Sequence, residues 1–369
     1  MTTIGLAMIA RNAAETMRRA LDPFAGKIDE VAIVLGGNST DATAEIAKGY
    51  GAVYPYDGEL DDNGALLDFA SARQQANDHL ATDWAVVVDS DDIWAGVEHL
   101  RGAVDRAEQI GASLVYLPYW RKNTYLLQPR IYRRDSGKWV SPIHEYWSLD
   151  DKRARVTQTD QLTVTQERPE SVVSGRQHQN IDIAERWLGA YGPNARTLAL
   201  LCQDYLVAGY LEKVVSTGGR YLALGKPNSD DELHQVYFWR GVANLHLNKP
   251  HQAAEDATAA LLARNYSPGW TLLADAMLQK AQGVKNPVVF LEMALMYAEK
   301  ALSLGKPKTM FPYNPAHVAS APLLIKARAL GMLGRLPEAI AALDLAEMIG
   351  GDDGQAKQVR QEITYAKIG

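Results

Sequence analysis

The stretch Trp84-Ala85-Val86-Val87-Val88-Asp89-Ser90-Asp91-Asp92 runs from the most strongly apolar strand-like segment of the chain's first half directly into a cluster of acids. Five apolar residues without alternation read as a strand buried on both faces, the mark of a mainly parallel sheet covered by helices. The same pattern repeats upstream. Thr3 to Ile9, Val31 to Leu35 and Ala52 to Tyr54 are short apolar strands, while Asn12 to Leu21, a segment capped at Ser39 or Thr40, and Asp68 to Leu80 carry helical spacing. Strands alternating with helices predict an α/β, Rossmann-like domain. Ligands on such sheets sit beyond the carboxyl ends of the strands, where Gly36-Gly37 and Asp89 fall.

After about Val173 the strand signals stop, and the remainder reads as amphipathic helices broken by Gly and Pro. Ala208 to Val215, Leu247 to Ala254 and Leu333 to Ile340 can be stacked with Gly209, Asn248 and Gly334 as the turn residues. The turns are 39 and 86 residues apart, and a missing copy would centre on Leu291 to Leu304, with a small-residue stripe at Ala294, Tyr297, Ala298 and Ala301. A period near 40 resembles tetratricopeptide repeats loosened by insertions, with an irregular helical bundle as the alternative. The expected division is therefore residues 1–173 for the α/β domain and 174–369 for an all-α helical-repeat domain.

Composition sets outer limits. With 369 residues, 47% of them hydrophobic, and a net charge of −6, the chain is globular and is no polycation built to coat nucleic acid. A single cysteine, Cys202, excludes an internal disulfide framework and a zinc site of several thiolates, and its apolar helix marks it as packing. No apolar run approaches the ~20 residues that span a bilayer, and Met1 to Gly5 lacks the basic start of a signal peptide, so a cytoplasmic location is the expectation. Charge is uneven, however. Residues 121–155 hold nine Lys/Arg against four acids, either a solvated basic face or a cationic wall turned toward phosphates.

Carboxylates clustered at a strand end repel one another unless a cation lies among them. Hard divalent ions such as Mg²⁺ or Mn²⁺ prefer such oxygen ligands, although Asp and Ser are also ordinary turn residues. P-loop, nucleophile-elbow and dinucleotide-binding patterns are all missing.

Several motifs come in a fixed order: Met8 to Thr16 after the first strand, Ser39-Thr40-Asp41-Ala42-Thr43 after the second, Asp68-Phe69-Ala70-Ser71-Ala72-Arg73, and then Asp89-Ser90-Asp91. Pro129-Arg130-Ile131-Tyr132-Arg133 and Trp139 to Glu145 follow. Over roughly residues 3–147 this order resembles the GT-A-fold family 2 glycosyltransferases, in the branch that fuses the catalytic domain to tetratricopeptide-like helices.

The resemblance implies inverting transfer of a sugar from a nucleotide-sugar donor, with Mn²⁺ or Mg²⁺ held by Asp89 and Asp91. It places Ala10, Arg11 and Asn12 around the donor nucleotide, with Asp41, Asp68, Arg73 and Ser90 in the same donor-facing set. His144 is assigned to metal or diphosphate and Glu145 to the general base, with Asp92 as the rival base. One departure stands out: Gly36 occupies the position where the family usually carries an Asp that contacts the nucleoside. The expected acceptor is a protein or peptide held by the helical repeats, ahead of a DNA base hydroxyl or a glycan. A non-catalytic scaffold is the reading from a different class, and helices such as Ala253 to Leu262 are candidates for pairing two subunits.

Overall fold

The computed structural model describes residues 2–122, 124–167, 170–309, 311–350 and 353–366, with side chains left aside at 170–177, 353, 365 and 366. The chain forms two compact units, Met1–Gly192 and Pro193–Gly369. The boundary expected at 173/174 falls within a long helix, Glu170–Tyr191, which belongs to the first unit.

The first unit opens with β1 (Ile4–Ala10), α1 (Met17–Leu21), β2 (Glu30–Leu35), α2 (Thr43–Lys48), β3 (Ala52–Pro55), α3 (Phe69–Asp78) and β4 (Trp84–Val87). The four strands lie in the order β3-β2-β1-β4, all parallel. Their carboxyl ends therefore share one edge, where Arg11, Gly36 and Asp89 emerge.

Beyond β4 the pattern changes. The chain continues with β5 (Asp92–Ala95), α4 (Leu100–Gln109), β6 (Ala112–Arg121), β7 (Thr124–Arg133), the hairpin β8 (Gly137–Val140) and β9 (Tyr146–Leu149), β10 (Arg155–Gln158) and β11 (Thr163–Gln166), and closes on α5, the long helix Glu170–Tyr191. β7 pairs antiparallel with both β4 and β6, β6 runs parallel to β10 and β11, and β11 pairs antiparallel with β5. The result is a mostly parallel nine-stranded sheet with antiparallel pairings in its second half.

Side-chain alternation explains why both faces are covered. Leu6 and Met8 of β1 and Trp84 and Val86 of β4 pack on one side with Met17 and Leu21 of α1 and Leu100 and Val104 of α4. Ala7, Ala85 and Val87 face the other side, with Ala70 and Ala76 of α3, Trp139 and Trp147. A sheet buried on both faces needs the unbroken apolar strands seen in the sequence.

The second unit holds, among the described residues, nine helices: α6 (Ala195–Val207), α7 (Leu211–Ala223), α8 (Asp230–His246), α9 (Pro250–Ala263), α10 (Ser267–Gln282), α11 (Val288–Leu304), α12 (Ser320–Met332), α13 (Leu336–Met348) and α14 (Asp353–Ala366). The stacked turns fall between members of helix pairs. Gly209, Asn248 and Gly334 all have positive φ, at 78°, 56° and 76°. In each, the next residue's N–H reaches back to a carbonyl five residues earlier: Tyr210 to Tyr205, Lys249 to Asn244, Arg335 to Leu330. This is the Schellman stop, which satisfies the last carbonyls of one helix while reversing the chain into the next. In the stripe of α11, Ala294, Ala298 and Ala301 are fully buried and Tyr297 is half-buried.

In α9, Ala253, Ala257 and Ala260 are fully buried within their own chain, while Leu262 is exposed.

Candidate active site

The acids after β4 sit where four parts of the first unit meet. Asp89 follows β4, and its Oδ1 accepts from an Arg73 guanidinium nitrogen at 2.7 Å while its Oδ2 accepts from Arg130 at 3.0 Å. Arg73 comes from α3 and Arg130 from β7, the strand hydrogen-bonded beside β4. Arg73 Nε also donates to Glu145 Oε1 at 2.6 Å. Asp92 folds back beneath Asp89: its Oδ2 accepts from the Asp89 N–H at 2.9 Å and lies 3.5 Å from Arg130.

Asp91 is tied from the far side. Gln166 Nε2, at the end of β11, donates to Asp91 Oδ1 at 3.1 Å, and the Glu167 N–H donates to the Asp91 carbonyl at 3.1 Å. Each of Asp89, Asp91 and Asp92 offers a carboxylate oxygen, all within 4.8 Å of one another.

Burial works against charge here, and the partners decide the outcome. It would raise the Asp89 carboxyl, but the two guanidiniums outweigh it and hold that group well below the usual carboxylate range. For Asp92, which is 0% exposed, burial wins even against Arg130, with help from Asp89 and Asp91, and the carboxyl is pushed up to about 7. Arg130 is itself almost fully buried and lies 4.9 Å over the Tyr119 ring; Arg73 lies 5.4 Å over Trp139. Within this acid–arginine group, Asp92 Oδ1 and an Arg73 guanidinium nitrogen are buried and unmatched. Grouped oxygen donors with a buried acceptor to spare suit a hard divalent cation.

The loops after β1 and β2 are stitched together. The Asn12 N–H donates to Ser39 Oγ at 3.2 Å, and Asn12 Oδ1 accepts from the Thr40 N–H at 2.8 Å, with Asn12 at φ 48°. Asp41 accepts from the Ala14 and Thr43 N–H groups at 3.0 Å each. Burial opposes its ionisation, yet these bonds and the Thr43 hydroxyl hold its carboxyl below the ordinary value. Asp41 thus secures the chain's own loops, and Ala10 fixes the next turn by accepting from the Gly36 N–H at 2.9 Å.

Asp68 caps α3 by accepting from the Ser71 N–H at 2.9 Å. Arg11 donates to the Asn63 carbonyl, and Ser90 lies half-buried between Asp89 and Asp91. His144, at φ 53°, stands outside the aspartate group, in a segment where Ser141 also has positive φ and Phe69 N–H donates to the Pro142 carbonyl at 2.8 Å. Such backbone costs energy in non-glycine residues and is common at working sites.

The Gly36 departure has a physical counterpart. A Cβ at Gly36 would come within 3.0 Å of the Leu66 side chain, and one at Gly37, where φ is 106°, would come within 1.9 Å of the Gly64 carbonyl oxygen. The segment around residues 60–66 therefore closes over the end of β2, where a larger side chain would otherwise stand.

The basic stretch divides between interior and surface. Arg130 turns inward to Asp89, and Arg134 donates to the Thr82 and Asn77 carbonyls. Arg133 and Arg153 pair at the surface with Asp135 and Asp151, two residues away, where such contacts are worth little. A cavity of about 760 Å³ opens elsewhere, between α3 and the β8 strand, lined by Asp68, Gln74, Trp139 and Trp187 among others. None of the three aspartates lines it.

Two members of the site escaped the reading of the sequence. Gln166 carried no signal, and Arg130 was noted only inside a motif. Both are brought in by strand neighbours rather than by local spacing.

Residues 6–163 match the model of glycosyl transferase family 2. The chain carries a family 2 glycosyltransferase domain. That domain ends close to β11 (Thr163–Gln166), so it contains the whole aspartate cluster and its arginine partners. A TPR repeat-containing protein of Synechococcus elongatus is 29% identical over 170 residues, which are 43% of this chain and 38% of that protein. The chain thus spans well under half the length of this curated relative.

Among solved structures, a thermophilic TPR protein of Thermus thermophilus is 16% identical, covers 54% of this chain and 95% of its own, and has a TM-score of 0.38. The glucosyl-3-phosphoglycerate synthase of Mycobacterium tuberculosis, solved with Mn²⁺, uridine diphosphate and phosphoglyceric acid, is 15% identical, covers 52% of this chain and 80% of its own, and has a TM-score of 0.37. Scores of this size mark a distant likeness. No helix among the described residues is long and apolar enough to cross a membrane.

Proposed function

We propose that this protein is a metal-dependent glycosyltransferase that takes a sugar from a nucleotide-sugar donor with inversion at the anomeric carbon. The observation that carries the reading is the Asp89–Asp91–Asp92 group at the carboxyl end of β4, inside a family 2 domain. Mn²⁺ or Mg²⁺ would be held by Asp91 with a neighbouring Asp89 or Asp92 oxygen, and His144, outside that group, would meet the diphosphate. When bound, the ion offsets charge that develops on the leaving diphosphate.

The protein's own residues supply the rest. In a single displacement the acceptor oxygen bonds to the anomeric carbon, and the carbon–oxygen bond to the diphosphate breaks with its electron pair staying on phosphate. The acceptor's proton passes to a carboxylate. Glu145, whose side chain is 13% exposed, is better placed for that contact than Asp92, which has no exposed surface. Arg73 holds Glu145 Oε1 and Asp89 Oδ1 at once and fixes the spacing of base and acid cluster. Its unmatched guanidinium nitrogen is a donor for a donor-substrate oxygen. Arg11, Asn12, Asp68 and Ser90 complete the donor-facing rim, with Ala10 and Asp41 fixing its loops.

The acceptor we favour is a protein or peptide segment, since stacked helix pairs offer the extended surfaces that hold peptides. A polyanionic acceptor has less support, because Arg130 and Arg134 of the basic stretch are engaged inside the unit.

The test is thermal stability against nucleotide diphosphates and nucleotide sugars, with and without Mn²⁺. A ligand at 100 times its Kd adds about 2.7 kcal/mol of stability. A Mn²⁺-dependent shift with one nucleotide, lost in Asp91→Ala, supports the reading. A flat panel in a folded protein, with no donor hydrolysis, defeats it and leaves the scaffold.

A further inference from the structure

We infer that Gln166 is a positioning residue for the metal site: it orients the Asp91 carboxylate toward the other two aspartates. The inference rests on the metal-dependent reading above and deepens it.

Gln166 is the last residue of β11, an interior strand of the sheet paired with β5 on one side and β6 on the other. Its backbone is opposite Asp92 in the β5–β11 ladder and opposite Arg121 in the β6–β11 ladder. Only 6% of its surface is exposed, so its amide has little freedom to turn away. From that anchored position Nε2 donates to Asp91 Oδ1 at 3.1 Å, and the next residue's N–H donates to the Asp91 carbonyl at 3.1 Å. Glu167 is tied in turn to Arg19 at 3.1 Å. Asp91 is therefore gripped at side chain and main chain by one strand end.

The choice of residue has a chemical reason. Asp89 is oriented by two guanidiniums, each of which adds positive charge beside it. Gln166 gives the Asp91 carboxylate an amide donor that brings no charge of its own. Groups that hold a ligand in place from behind the metal set affinity nearly as strongly as the ligands themselves, and their loss costs about 10–100-fold.

The experiment measures Mn²⁺ binding to the full chain without substrate, by electron paramagnetic resonance of free Mn²⁺, in wild type, Asp91→Ala, Gln166→Met and Gln166→Asn. Met keeps the length of the side chain without a donor; Asn keeps the donor but withdraws it. We expect Gln166→Met to weaken Mn²⁺ about 10-fold or more while the metal-free melting temperature stays near wild type, and Gln166→Asn to weaken it less. If Met fails to fold, a folded Asn variant with weakened Mn²⁺ binding supports the role. Wild-type affinity in any folded Gln166 variant overturns it. Failure of the wild type to bind Mn²⁺ is a separate result that overturns the metal reading itself, and the Gln166 role with it.

Discussion

Both units bury a carboxylate against arginine, and they finish the job differently. In the helical unit Asp256 of α9 accepts from Arg240 of α8 through both oxygens, and Asn244 is a second partner at 2.9 Å. Glu232 is likewise closed by Tyr221 at 2.9 Å and Asn228 at 3.0 Å. Neither carboxylate keeps an unmatched buried oxygen. In the sheet unit the cluster of Asp89, Asp91, Asp92, Arg73 and Arg130 leaves an acceptor and a donor without partners. Closed networks fix the packing of one helix on another, whereas an open one holds free energy available to a ligand.

The largest expected effect separates the two networks by function. Asp91→Ala should cut Mn²⁺-dependent transfer by a factor on the order of 10² to 10³, several kcal/mol of charge stabilisation, with little change in the melting of the metal-free protein. Equal loss of stability and activity would instead place Asp91 with the structural acids. Next in size, Asp256→Ala leaves Arg240 half-buried and alone. It should destabilise the helical unit by about 3 kcal/mol in denaturant unfolding and leave nucleotide binding untouched.

A smaller effect tests a residue that belongs to both accounts. Asp68 caps α3, so Asp68→Ala should cost about 1 kcal/mol and Asp68→Asn only a few tenths. If Asp68→Asn keeps the stability but weakens nucleotide binding, measured by calorimetry, the carboxylate also touches the donor.

The smallest effect concerns pH. His234 lies in the helical unit with its Nδ1 2.9 Å from the Ala260 carbonyl, and burial lowers its pKa from 6.5. With the folded value depressed, the unfolded chain takes up the proton first. The contribution is therefore present above pH 6.5 and is lost as pH falls from there toward the folded value. Thermal melts from above pH 6.5 to below it should show the helical transition falling, and His234→Gln should flatten that slope.

How much of this was legible depends on distance along the chain. Asp89, Asp91 and Asp92 announced themselves as acids ending an apolar strand. The turns at Gly209, Asn248 and Gly334 were legible for the same reason, because a Schellman stop is written within about six residues. By contrast, which residues of the basic stretch turn inward depends on partners such as Asn77, 57 residues away from Arg134.

Taken alone, the sequence determined the strand–helix alternation, the helical second half and the place where acids cluster. Periodicity and capping act over one or two turns of chain, and a single sequence records them directly. Only the tertiary structure decided which cations and amides serve those acids. Arg130 reaches Asp89 across 41 residues because β7 pairs with β4. Gln166 reaches Asp91 across 75 because β11 pairs with β5. Strand order is set by burial of the whole sheet, and no local pattern around residue 130 or 166 encodes its neighbour.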